Sequence, residues 1–184
     1  MRSISLYPAL VLAALGAGSG LLGTYALGLG YGEAPQPGLY MILTGLWFGL
    51  VVGFGVWWWG NRSWIAAATA LAATWCGGEL AVNLAMHLEG DWLKKIGVVD
   101  GLRAYVSGFA SGAVGAFLTW VGAAWFTPTL QNRTAIAGVI TVGAILGLLL
   151  PWTNHYDNPA VLLLPWQAAV AATLGSWISA PRHP

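Results

Sequence analysis

The sequence predicts an all-α, polytopic integral membrane protein, a single bundle of six transmembrane helices. Three observations predict it. Hydrophobic residues make up 58% of the 184 positions and charged residues only 7%, against roughly 25% charged in soluble domains. Six apolar segments, about 5–30, 39–59, 64–88, 104–126, 134–150 and 160–180, take up most of the chain. At ~1.5 Å rise per residue, such segments are the right order of length for a ~30 Å hydrocarbon core. The 26 glycines recur at four-residue spacing, as in Gly45-x3-Gly49-x3-Gly53, Gly108-x3-Gly112 and Gly143-x3-Gly147, and rows of small residues let membrane helices approach closely. One domain, 1–184, is expected, with no room for a separate soluble one.

Segment 1 follows Arg2 and contains a loosely cleavage-like Ala14-Leu15-Gly16-Ala17, but its apolar run continues to about Leu29. That exceeds an ordinary signal-peptide core, so a retained helix is expected. The Gly- and Pro-rich stretch 27–38, with Glu33, makes a turn. Segment 2 closes on Trp57-Trp58-Trp59. Segment 3 is followed by GDWLKKIGVVDGLR (90–103), read as the longest polar loop, with a short amphipathic piece lying on the membrane. Segment 4 ends at Thr127-Pro128 and segment 5 at Pro151, after which PWTNHYDNP (151–159) reads as a loop. Segment 6 carries Pro165, which either kinks the helix or begins it.

Charge sets the expected orientation. Arg2, Arg62, Arg133 and Arg182 fall at the two termini and in the second and fourth loops, with no carboxylate among them. Basic loops stay cytoplasmic, which puts both termini inside and the first, third and fifth loops outside the cell (inner) membrane. Trp57, Trp58, Trp59, Trp64 and Trp125 would then form the inner aromatic belt, and Trp92 and Trp152 the outer one. Trp47, Trp75, Trp120, Trp166 and Trp177 lie deeper, and Trp47 and Trp166 fall in the outer third. The triplet Asn61-Arg62-Ser63 is echoed by Asn132-Arg133-Thr134, a faint sign of internal repetition.

Within segment 3, Glu79, Asn83 and His87 stand at i, i+4 and i+8. Each step turns a helix only about 40°, so the three share a stripe. An ionisable residue at membrane depth is costly unless it faces protein or a watery cavity, so the stripe is expected to point inward. On the same outer side, the fifth loop gathers Asn154, His155, Tyr156 and Asp157. Together with Trp47 and Trp166, these residues outline an outward-facing pocket if segments 3 and 6 are neighbours. Glu79 would be the counter-charge, Asn83 and His155 the hydrogen-bonding groups and the indoles the stacking surfaces for a small polar or cationic aromatic solute. The competing reading makes Glu79 a hydrogen-bonded structural carboxyl between helices.

Other chemistry has less support. No cofactor is expected; haem or a metal held by His87 and His155 is the weaker alternative, because the pair has no recognised ligand spacing. His183 reads as a terminal residue. The single cysteine, Cys76, excludes an intrachain disulfide and reads as a small buried hydrophobe. A formal net charge of +1 with no basic run excludes nucleic acid as a partner. Nucleophile-elbow, zincin and phosphate-loop motifs are all missing, so an enzyme is not expected. Ser107 and Ser111 fit close helix packing without catalysis.

Tryptophan-rich five-helix translocator proteins share the size and tryptophan content, but their Pro-x-Trp-x-Phe-x-Pro-type stretch is missing. In plan the chain is similar to the substrate-binding components of energy-coupling-factor importers, small six-helix proteins with both ends cytoplasmic and an outward pocket capped by loops. Ala9-x3-Ala13-x3-Ala17 is similar to the small-residue strip with which such proteins dock on a partner. The expected role is binding and transport of a small solute. The alternative is a non-catalytic accessory subunit of a larger membrane complex, packing or self-associating through its Gly/Ala faces and touching pigment, lipid, quinone or haem.

Overall fold

The computed structural model describes residues 6–26 and 42–178, and every regular element among them is helical. Arg2, Arg182, His183 and the whole Gly- and Pro-rich turn 27–38, with Glu33, lie outside the described residues. The elements are α1 (Leu6–Leu21), α2 (Ile42–Trp59), α3 (Trp64–His87), α4 (Leu93–Lys95), α5 (Asp100–Ala124), α6 (Arg133–Gly147), α7 (Leu150–Tyr156) and α8 (Ala160–Ile178). π-Helical turns over Leu22–Ala26 and Leu88–Trp92 follow α1 and α3, and Pro128–Leu130 is a 3-10 turn.

Local chemistry fixes where the helices start. Ser63 caps α3 by accepting from the Ala66 N–H at 3.3 Å, and Asn132 caps α6 by accepting from Ala135 at 2.8 Å. The Asn-Arg-Ser/Thr echo thus becomes two caps of different register. Pro165 lies inside α8, which begins five residues earlier at Ala160.

Five helical stretches are long and apolar enough to cross a membrane: Leu6–Tyr25, Trp64–Lys95, Asp100–Ala124, Arg133–Tyr156 and Ala160–Ile178. The remaining apolar helix, described as such over Thr44–Trp59, would rise only about 24 Å, so six full crossings are not reached among the described residues. Two expected loops are largely helical. The stretch 90–103 continues α3 through its π-turn and α4, leaving a short link at 96–99 in which Gly97 takes φ +80°. The stretch 151–159 is mostly α7, stopped by Asp157 in a left-handed conformation at φ 48°.

The long helices close into a ring. α1 packs on α2, α2 on α3, α3 on α5, α5 on α6, α6 on α8, and α8 back on α1. α5 makes this possible, because its buried residues are all small: Ala, Gly, Ser and Thr. Gly108 and Gly112 meet Gly147 and Gly143 so closely that a Cβ on any of the four would strike the opposite helix. On the other flank, Gly45, Gly49 and Gly53 of α2 lie against Trp75, Leu71 and Ala67 of α3. The glycine rows are therefore spent inside the chain. Part of the Ala9 strip is too, since Ala9 sits against Gly175 of α8. The hydroxyls of Ser107, Ser111 and Thr119 bond carbonyls three or four residues back in α5, which satisfies them without a partner helix.

Trp166 fills the middle of the ring. Its indole N–H donates to the Gly143 carbonyl at 3.0 Å, and its ring meets Phe48 edge-on at 5.7 Å. The two ends of the bundle differ in kind. At one, Asn61 bonds Phe126 and Tyr7 meets Trp59, with Trp58, Trp64 and Trp125 exposed nearby. At the other, Asn154 reaches Glu89, Asn158 reaches Tyr25, and Trp92 and Trp152 are exposed. The tryptophans expected at the two interfaces thus do separate to opposite ends. Cys76 is a correction: it is exposed on the outside of α3, not buried.

Candidate functional site

α3 offers two packing rows. Ala70, Ala73, Gly77 and Ala81 turn toward α5, and Ala67, Leu71, Trp75 and Gly78 toward α2. Glu79 follows Gly78 by about 100° of helix rotation, on the α2 flank and away from α5. It is 8% exposed and engaged in the fold. It is covered although Cys76, three residues earlier, and the adjacent Leu80 are both exposed.

The predicted stripe fans out along the helix. Asn83 is half-buried, and its amide donates to the Glu79 backbone carbonyl at 2.8 Å. His87, one turn further, is exposed and faces Asp91 at 3.5 Å across its own helix. Glu79 and Asn83 are therefore together, while His87 belongs to the bundle end.

The fifth-loop residues are held by α7. Asn154 Nδ2 donates to Glu89 Oε1 at 3.4 Å, which joins α7 to the π-turn after α3. His155 meets the ring of Tyr156, Tyr156 stacks on Trp152 one turn earlier, and Asp157 caps the helix; all of these are exposed. The junction between segment 3 and the fifth loop thus runs through Glu89, a residue the sequence reading left out. α3 and α8 are not packing partners; α2 and α1 lie between them on one side of the ring, and α5 and α6 on the other. Trp166 is a central packing residue with its N–H already bonded, and Trp47 lies about 100° around α2 from the Phe48 that Trp166 touches.

Among the described residues, no three His, Cys, Asp or Glu side chains come together as a metal site. His87 and His155 sit on different elements, each with a neighbour of its own.

One of the deeper tryptophans, Trp75, which the sequence did not single out, belongs with Glu79. Trp75 stands one turn before it on α3 and lies across Gly45 of α2, and its indole nitrogen is buried with no hydrogen-bond partner among the described residues. Leaving a buried donor unsatisfied costs roughly 1–3 kcal/mol. The i, i+4 spacing of Trp75, Glu79 and Asn83 was visible as a pattern. What made Trp75 look inert was the number of tryptophans around it.

No family model matches this chain, and comparison with curated proteins and with solved structures finds no match either. Fold and site define it only as an all-helical protein whose apolar helices suit a lipid bilayer.

Proposed function

We propose that this protein binds a small cationic or polar aromatic solute at the Trp75–Glu79–Asn83 stripe of α3 and takes part in moving it across the membrane. The observation that carries the reading is the buried, unsatisfied indole N–H of Trp75 one turn from the buried carboxyl of Glu79. A solute's acceptor group would answer the indole N–H, and its cationic group would join the interactions that Glu79 already makes in the fold. The stripe leads along α3 toward the Glu89–Asn154 junction, the end that the distribution of arginines assigns to the outside. Residence in the cell membrane with both termini cytoplasmic belongs to the same proposal. The accessory-subunit reading gains nothing from the glycine rows, because they are occupied within the chain.

The test is ligand binding by the purified full chain. Small aromatic and aliphatic amines are screened for a rise in thermal stability, beside analysis of small molecules that co-purify. Glu79→Gln should weaken the best amine roughly tenfold to a hundredfold, the worth of a desolvated charge-assisted hydrogen bond of about 1.5–3 kcal/mol. Trp75→Phe should weaken it about threefold to tenfold by removing one donor. Undiminished binding in Glu79→Gln would overturn the proposal in favour of the accessory subunit.

A further inference from the structure

At the opposite end of the bundle the turn between α2 and α3 holds an arginine in a demanding conformation. Arg62 takes φ 56°, left-handed for a residue with a Cβ, a conformation sparsely populated outside turns and sites. The turn is held on both sides by Asn61. Its Nδ2 donates to the Phe126 carbonyl at 3.1 Å, and its Oδ1 accepts from the Ser63 N–H at 3.0 Å. This geometry sets the Arg62 guanidinium over the Trp58 ring, 5.5 Å from its centroid. Trp58 is itself stacked on Phe54 at 5.8 Å, and beside it Trp57 stacks on Trp64 at 4.8 Å. The result is a firm aromatic platform with a planar cation on top.

The surroundings say what this cation meets. Trp64 is 71% exposed and Trp125 67%, so a partner there must accept indoles as well as charge. Arg62 makes no ion pair among the described residues, and the second described cation at this end, Arg133, is exposed. The described carboxylates lie elsewhere: Glu89, Asp91, Asp100 and Asp157 at the far end and Glu79 within α3. Exposed indoles favour the headgroup level of a bilayer, and an arginine placed over a ring still has its planar fork of N–H donors for a phosphate.

We infer that the Arg62–Trp58 platform is a binding site for the phosphodiester of an anionic phospholipid, with Trp64 and Trp125 packing at the same headgroup level. The cation–π contact preorganises the guanidinium, which separates this site from the diffuse attraction of any basic loop.

The experiment places the full chain in bilayer nanodiscs containing equal phosphatidylglycerol and phosphatidylcholine, then extracts it gently and measures the lipids it retains. Wild type should retain phosphatidylglycerol preferentially. Arg62→Gln and Trp58→Leu should each cut that preference about fivefold, the scale of one basic residue at a charged membrane surface. Arg133→Gln removes the same charge at the same end with no described ring beneath it, and should cut the preference less than twofold. Arg62→Lys preserves charge and turn but not the planar fork of donors over the ring, and should behave like Arg62→Gln. No preference in wild type, equal losses in Arg62→Gln and Arg133→Gln, or an unaffected Arg62→Lys would each overturn the inference.

Discussion

The Asn83 side-chain amide donates to the backbone carbonyl of Glu79, 2.8 Å away on the same helix. That bond uses one amide proton and turns the amide group along α3, and no described hydrogen bond uses its Oδ1. An amide oxygen one turn from a buried carboxyl is a second acceptor for the same cation. Asn83→Ala should therefore lower amine affinity about threefold to tenfold, the worth of one ordinary hydrogen bond. Stability should change by less than about 0.5 kcal/mol, because the lost local bond is offset by alanine's helix preference. Binding and thermal unfolding of the same preparation measure the two effects.

The α5–α6 contact offers a test of the fold through its glycines. Gly147→Ala would place a methyl against the Gly108 carbonyl, where backbone rather than a flexible side chain must give way. Overpacking of this kind costs about 1–3 kcal/mol or more. Gly18→Ala in α1 meets nothing within 4 Å and should be neutral or stabilising by up to about 1 kcal/mol. Thermal unfolding in detergent compares the two; equal effects would refute the close approach of α5 and α6.

How far the sequence could be read depended on whether a residue's role follows from a repeating pattern. The glycine rows of α2, α5 and α6 follow from four-residue spacing, and the structure puts them at helix contacts. The exposed tryptophans at the two ends follow from the segment boundaries. α7 was missed because Pro151, Asn154 and Asp157 all read as turn formers. Pro151 in fact stands at the first turn of the helix, where its missing N–H costs nothing, and Asp157 stops the helix rather than a loop. The ring order was not legible either. Nothing in an apolar segment says which of five others it will face, so the expected pairing of segments 3 and 6 gave way to α3 between α2 and α5. His87 left the buried part of the stripe because each i+4 step turns α3 by about 40°, which puts His87 about 80° around from Glu79 at the last residue of the helix, exposed beside Asp91.

Gln167 was passed over altogether, yet it is buried in α8 and accepts from the Ser19 hydroxyl of α1 at 2.6 Å. Ser19 also lies 2.8 Å from the Gly16 carbonyl, so its single proton is shared between two acceptors. Interhelical bonds of this type average about 0.6 kcal/mol and reach about 1.7. A double-mutant cycle of Ser19→Ala and Gln167→Leu should give a coupling within that range. A coupling near zero would mean that α1 and α8 are held by their small residues alone.

Topology is tested by single cysteines near Lys94 and near Arg133 in a Cys76→Ser background. Cys76 faces outward from α3 and touches no described site, so its replacement should be tolerated. The two new thiols lie at opposite ends of the bundle, one beyond α3 and one at the start of α6. A membrane-impermeant reagent should reach only the Lys94 position from outside intact cells. Labelling of both from one side would remove the membrane-spanning arrangement.

Glu79 can also be probed through stability, without any ligand in hand. Its side chain is 8% exposed and engaged in the fold, so removing its hydrogen-bonding capacity leaves neighbours unsatisfied as well as taking away a charge. Glu79→Leu should therefore destabilise by about 1–3 kcal/mol, even though leucine suits an apolar helix better. Glu79→Gln keeps the shape and most of the bonding, and should stay within about 1 kcal/mol of wild type. The two variants separate two kinds of cost. If Glu79→Gln is stable but loses amine binding, the carboxyl acts on the solute. If Glu79→Gln keeps both properties while Glu79→Leu unfolds, the carboxyl is a tie between helices. Thermal unfolding with and without amine, run on both proteins side by side, reads out which of these holds.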